Sequence, residues 1–311
     1  MTKLAGRLLC LIIGVAGACL VIVLWPLQSG NLYLSVADKH DRLEACGSPK
    51  IIFVGGSSLA LGLDSELIET ALGWPITNMG VNGGFGLRYM LDEIKPALRA
   101  GDIVVLSPEY EHWYGTLLEG GLNMVWAIRA HPASLWYLSS PRQFLTLAAN
   151  APEFLQGKFL EMLPGRRDPI YNRAAFNRYG DFVNHLPLEP APQIGGLERI
   201  DAQAFNPETA AALQSFAIFA EQHGAQAVYS FPPLAESQYR FADNRAAIDR
   251  IVQALNDLPR LSVLDRPADH VYPDELFFDT VYHLRGAGRA LRSRQVAAAL
   301  LAFLTTEVDP R

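Results

Sequence analysis

Basic runs are missing from this chain. Its 26 lysines and arginines are outnumbered by 32 acidic residues, and its net charge is −6. The lack of a lysine- or arginine-rich stretch argues against nucleic acid or an anionic lipid surface as a main partner. A neutral or cationic small substrate, or a polysaccharide, fits that balance. Cysteine is scarce too, with three in all. Cys10 and Cys19 fall inside an apolar N-terminal run, so Cys46 stands alone after it and no intramolecular disulfide framework can form. No CxxC or Cys/His spacing offers a metal site. Neither G-x-G-x-x-G nor G-x-x-x-x-G-K-[ST] occurs, which removes the nucleotide-phosphate loops. Repeats and low-complexity segments are also absent. Half of the 311 residues are hydrophobic and 19% are charged, enough apolar material for one large α/β core.

Charge is absent altogether between Leu8 and Leu27. That length matches the roughly 20 residues a helix needs to cross a bilayer. Lys3 and Arg7 precede the run, so the positive-inside tendency expects a cytoplasmic N-terminus and a chain exported after Pro26. Ala16-Gly17-Ala18 is the kind of small-residue cluster that signal peptidase accepts, but the apolar run Leu20 to Trp25 still follows it, which favours an uncleaved anchor. The expected organisation is therefore a single-pass inner-membrane anchor over residues 1–29, with a periplasmic domain over 30–311.

After a polar connector with one helix-like piece near Tyr33 to Glu44, the four apolar residues Ile51-Ile52-Phe53-Val54 read as a buried strand. Gly55-Gly56-Ser57-Ser58 follow as a tight turn. Asp64 to Leu72 has an acidic start and helical spacing, and ends near Gly73. Pro75 to Gly80 reads as a second strand with an exit loop Asn82 to Gly86. A helix over Leu87 to Leu98 and a third strand over Gly101 to Leu106 complete a βαβαβ order. From Pro108 to about Pro207 the alternation stops. Prolines and clustered aromatics (Tyr110, Trp113, Tyr114, Trp126, Trp136, Tyr137) suggest an insertion, with a helical pattern from Pro141 to Leu163. It belongs at the carboxyl edge of the sheet, where open α/β folds place their crevices and where aromatic rings could stack on sugar. Helices over Pro207 to His223, Ala242 to Leu258 and Gly286 to Phe303, with strands over Ala225 to Ser230 and Leu261 to Leu264, then resume the rhythm.

Two stretches carry chemistry. The glycine-rich turn after the first strand presents a small hydroxyl, and glycine lets nearby amides approach a developing oxyanion. Just before the last helix, Phe278-Asp279-Thr280-Val281-Tyr282-His283 sets a carboxylate and an imidazole in one loop on the same side of the sheet. A serine nucleophile needs such an imidazole to take its proton, and a carboxylate to fix the tautomer.

On these residues the sequence resembles the SGNH/GDSL hydrolase superfamily, in particular membrane-anchored exported members that add or remove acyl groups on cell-surface polymers. The likeness runs through Gly55-Gly56-Ser57, the Asn78-Met79-Gly80 loop, the Asp102 to Leu106 strand and the Asp279/His283 loop. It implies a three-layer α/β/α, flavodoxin-like domain with a mainly parallel five-stranded sheet and a helical insertion at about 108–207. It implies Ser57 as nucleophile (Ser58 as second choice), His283 as general base and Asp279 as its orienter. The backbone N–H groups of Ser57 and Gly80, with the Asn82 side chain, would bind the oxyanion. No cofactor or metal is implied. A periplasmic esterase or O-acetyltransferase on exopolysaccharide follows, served in the transferase case by a membrane-bound acyl-delivering protein.

Three departures stand out. The family's aspartate between glycine and serine is Gly56, and three residues rather than two separate Asp279 from His283. Ser107-Pro108-Glu109-Tyr110-Glu111 replaces the Gly-x-Asn-Asp context, so a carboxylate stands where an asparagine would donate. This last change motivates an alternative: a non-catalytic binding or assembly protein of a polysaccharide export or modification system.

Overall fold

The computed structural model describes residues 2–163, 165 and 168–308. Its centre is the β1 strand Ile51–Gly55, every residue of which is buried. β2 (Ile76–Asn78) pairs with it on one side and β3 (Ile103–Ser107) on the other; β4 (Gln226–Tyr229) and β6 (Ser262–Val263) extend the sheet beyond β3. All four pairings are parallel, and the order is β2-β1-β3-β4-β6. A separate two-residue pair, β5 (Leu234–Ala235) with β7 (Val271–Tyr272), was not signalled by the sequence, since two residues are too few to show a period.

The period of two sorts the strands into layers. Ile52, Val54, Val104 and Leu106 point into one apolar cluster, and Ile51, Phe53, Ile103 and Val105 into another. Helices cover both faces, as an all-parallel sheet requires. The first cluster is closed by α2 (Ser35–Ala45), α5 (Leu87–Ile94), α8 (Pro207–Gln222) and α10 (Asn244–Asn256), through residues such as Leu43, Leu87, Phe216 and Ile251. The second is closed by α4 (Ser65–Leu72) and α11 (Gly286–Val308), through Ile68, Val296 and Leu300. The fold is thus three-layered α/β/α and flavodoxin-like.

Local chemistry sets the helix ends. Asp64 caps α4 by accepting from Leu67 N at 3.2 Å, and Gly73 ends it at φ 69°, a left-handed conformation that suits glycine. The helix expected over 87–98 stops at Ile94 and tightens to a 3-10 turn over Lys95–Ala97, because Pro96 has no N–H to continue the ladder.

The insertion after β3 holds α6 (Leu122–Ala130) and α7 (Pro141–Glu161), with 3-10 turns and long irregular runs. Its aromatics do not line a crevice as a group. Tyr110, Trp113, Tyr114 and Trp126 are buried, while Trp136 is 86% exposed. Short α3 (Ser57–Ala60) and α9 (Glu236–Arg240) complete the helices of the domain. Ahead of it, α1 (Thr2–Leu24) is long and apolar enough to span a membrane: Lys3–Leu24 has a mean hydropathy of 2.7, and none of it is buried.

Candidate active site

β1 and β3 end side by side where the chain's winding direction reverses, the place at which open α/β sheets form a crevice. Ser57 follows β1 there as the first residue of α3, where the sequence suggested only a loop. Gly56 must be glycine for a reason found far along the chain. A Cβ on it would lie 2.4 Å from both carboxylate oxygens of Glu109 and 2.6 Å from Gly83 N. Glu109, from the end of β3, thus fills the space that a side chain at position 56 would need.

Glu109 also holds the turn. Its Oε1 accepts from Ser58 N at 2.9 Å, while the Ser58 carbonyl accepts from Arg292 Nη1 at 2.8 Å. Arg292 Nη2 reaches Ser107 Oγ at 3.1 Å. The two peptide groups flanking the Ser58 Cα are held by buried groups of opposite charge. Desolvation lowers the Arg292 guanidinium to about 10, against which Tyr272, Asp265 and Glu109 work. Glu109 Oε2 lies 3.7 Å from His112 Nδ1. One Glu109 oxygen is thus committed to the Ser58 amide. Ser58 itself is fully buried and its hydroxyl has no partner, so Ser57 carries the accessible hydroxyl.

His283 Nε2 lies 2.9 Å from Ser57 Oγ, and His283 Nδ1 lies 2.7 Å from Asp279 Oδ1. A carboxylate only accepts, so Nδ1 carries the ring proton and Nε2 is left to accept from the hydroxyl. Burial pushes the Asp279 carboxyl upward, but the hydrogen bond and charge of His283, with a hydrogen bond from Tyr171, outweigh it and hold Asp279 below the usual range. The loop from Asp279 to His283 is clamped from outside. Gly195 N donates to Asp279 O at 2.7 Å, Val281 N donates to Gly195 O at 3.0 Å, and Ala235 N in β5 donates to Val281 O at 3.0 Å. Tyr171 was not singled out in the sequence. Its hydroxyl donates to Asp279 Oδ2 and sits 3.4 Å from His283 Nδ1.

The expected oxyanion donors divide. Ser57 N, at the first position of α3, has no acceptor among the described residues. Gly80 N donates to Asn78 Oδ1 at 3.0 Å and is already engaged, which corrects its assignment as a free donor. Among the described residues the amide of Gly83, which lies beside Gly56, also has no acceptor, and the Gly83 carbonyl accepts from His112 Nε2 at 2.9 Å. Asn82 Oδ1 accepts from Gly84 N at 2.8 Å and Asn123 Nδ2 at 3.0 Å, and its own Nδ2 has no partner among the described residues. Asn78 is buried turn chemistry, donating to Leu59 O and Asp181.

A carboxylate–imidazole–hydroxyl chain beside unpaired amides can remove a proton from Ser57 and stabilise an oxyanion on an attacked carbonyl. Among the described residues no group of three or more His, Cys, Asp or Glu side chains could hold a metal. A cavity of about 450 Å³ lined by His40, Lys50 and Arg99 lies at the amino edge of the sheet, away from this chemistry. No family model matches the chain, and no curated protein is similar to it.

Proposed function

We propose that this protein is a membrane-anchored SGNH-type serine acyl esterase or O-acyltransferase. The observation that carries the reading is the hydrogen-bonded run from Ser57 through His283 to Asp279, at 2.9 and 2.7 Å. Ser57 Oγ attacks an ester carbonyl while His283 Nε2 takes its proton. The Ser57 and Gly83 amides, with Asn82 Nδ2, receive the oxyanion. Collapse expels the alcohol, protonated by His283, and leaves an acyl-serine. Water then releases the acid, or a sugar hydroxyl takes the acyl group, by the same steps in reverse.

The acetyl group, the cell-surface or secreted polysaccharide and, for transfer, a membrane-bound acyl-delivering partner are supported by the sequence resemblance alone. Periplasmic placement is supported by Lys3 and Arg7 ahead of α1. The test uses the full chain in detergent. A fluorophosphonate probe should label the wild type and not Ser57→Ala, and hydrolysis of p-nitrophenyl acetate or an acetylated oligosaccharide should fall at least ~1,000-fold in that variant. Equal labelling and turnover in both proteins would end the reading.

A further inference from the structure

The C-terminal end of α1 is tied to the insertion. Arg129 Nε donates to Val23 O at 2.6 Å, and its Nη2 reaches Leu24 O at 3.2 Å and Trp25 O at 2.9 Å, a cation on the final carbonyls of a helix. Lys158 Nζ donates to Pro26 O at 3.0 Å, and Gln28 N to Glu161 Oε1 at 3.1 Å. The α6–α7 hairpin is therefore fastened where α1 leaves whatever covers its apolar surface. Among the described residues none of the span is buried.

The same hairpin carries an unusual share of exposed apolar groups. Of the twelve large apolar side chains that the described residues after Trp25 leave exposed, six lie between 135 and 163, including Trp136 at 86%, Leu145 at 69% and Phe159 at 51%. Along α7 the arrangement is ordered by face. Gln143, Phe154 and Lys158 point inward, whereas Leu145, Ala148, Ala149, Pro152 and Phe159 share the outward side at helical spacing. Among the exposed residues of α7 two are charged, Arg142 and Glu153. Water is a poor environment for such a face, and a contiguous patch of this kind marks a contact surface.

We propose that the outward face of α7 and the neighbouring Pro132–Tyr137 turn bed into the head-group/acyl boundary of the bilayer that α1 crosses. Continuity with α1 selects lipid over another occupant: a helix fastened to the exit point of a spanning segment already lies at that boundary, and burial there is driven by apolar area without a basic run. Trp136 suits that depth, having a large apolar body with one N–H. The domain would then be held at the membrane by two contacts, with its orientation fixed rather than swinging on the 26–31 connector. This inference does not depend on the catalytic reading.

The test places spin labels on the full chain in proteoliposomes, with Cys10, Cys19 and Cys46 replaced by serine. Labels go at Trp136→Cys, Leu145→Cys and Phe159→Cys. Val21→Cys in α1 and Ile218→Cys in α8 serve as lipid and water references. Collisional access to oxygen should exceed access to a water-soluble nickel chelate at all three sites, as at Val21→Cys and unlike Ile218→Cys. Water-like access at Leu145→Cys or Phe159→Cys overturns the proposal. So does exclusion of both reagents there, which would show a protein cover such as a second copy. All sites are exposed, and unchanged circular dichroism confirms that each variant is folded.

Discussion

The two ends of the central sheet each bury a carboxylate with a cation, and they use them differently. At the amino edge, Lys50 Nζ meets Asp102 Oδ2 directly at 3.1 Å, and Asp102 also accepts from the Lys50 and Arg99 amides. The charges neutralise each other and tie the start of β1 to the start of β3. At the carboxyl edge, Glu109 and Arg292 do not meet. The backbone of Ser58 lies between them, its N–H on Glu109 and its carbonyl, in the next peptide group, on Arg292. The first pair joins strands. The second positions a backbone unit, and with it the neighbouring Ser57. A buried ion pair that satisfies itself contributes to assembly; opposite charges that hold the two peptide groups of one residue transmit their rigidity to its neighbours.

The contrast breaks if both edges respond alike to mutation. Lys50→Met should have the largest effect on stability, ~3–5 kcal/mol, because it strands the Asp102 charge in the interior. Turnover per molecule, normalised by fluorophosphonate labelling, should stay at the wild-type value. Glu109→Ala should cost less stability, ~1–3 kcal/mol for an unsatisfied Ser58 N–H, while normalised turnover falls on the order of 10- to 100-fold. Thermal unfolding and ester hydrolysis on the same preparations give both numbers. Unchanged turnover in Glu109→Ala would remove the positioning role and leave two structural pairs of one kind.

Much of this layout is legible in the sequence. Buried β-branched runs such as Ile51 to Val54 and Ile103 to Val105 announce strands because no other local structure suits them so well. Ser57, Asp279 and His283 are legible because they lie just past a strand and just before a helix, where the local pattern changes. Other features depend on distant parts of the chain meeting. That Glu109 occupies the volume a side chain at 56 would need is a fact about two strand ends in contact, with no local trace. Gly83 looked like one more turn glycine, and only the engaged state of Gly80 N separates the two. Tyr171 lies in an irregular stretch with no period to read, over a hundred residues from the Asp279 it touches. The aromatics of the insertion misled for the opposite reason: composition showed the rings but not which way they face.

Glu111 sharpens the comparison, because at the same carboxyl edge it is a carboxylate with no cation within ion-pair distance among the described residues. Its two oxygens accept from Tyr282 Oη at 2.9 Å, and desolvation is the main reason its carboxyl is raised from 4.5 to about 7, with Glu109 adding repulsion. The sign follows from proton counting. Between about pH 4.5 and 7 the folded protein keeps a proton that the unfolded chain has released, so stability falls as pH rises through that window and levels off above it. Glu111→Gln should abolish that slope. Relative to wild type, the variant should gain stability between pH 4 and pH 8, on the order of 1–2 kcal/mol once solvent screening of this partly exposed group is allowed for. Parallel melting curves across the range would show it as two profiles that converge in acid and separate in base. Profiles that stay parallel would mean that Glu111 ionises as an ordinary surface carboxylate, and that the carboxyl edge holds its charges no more tightly than solvent does.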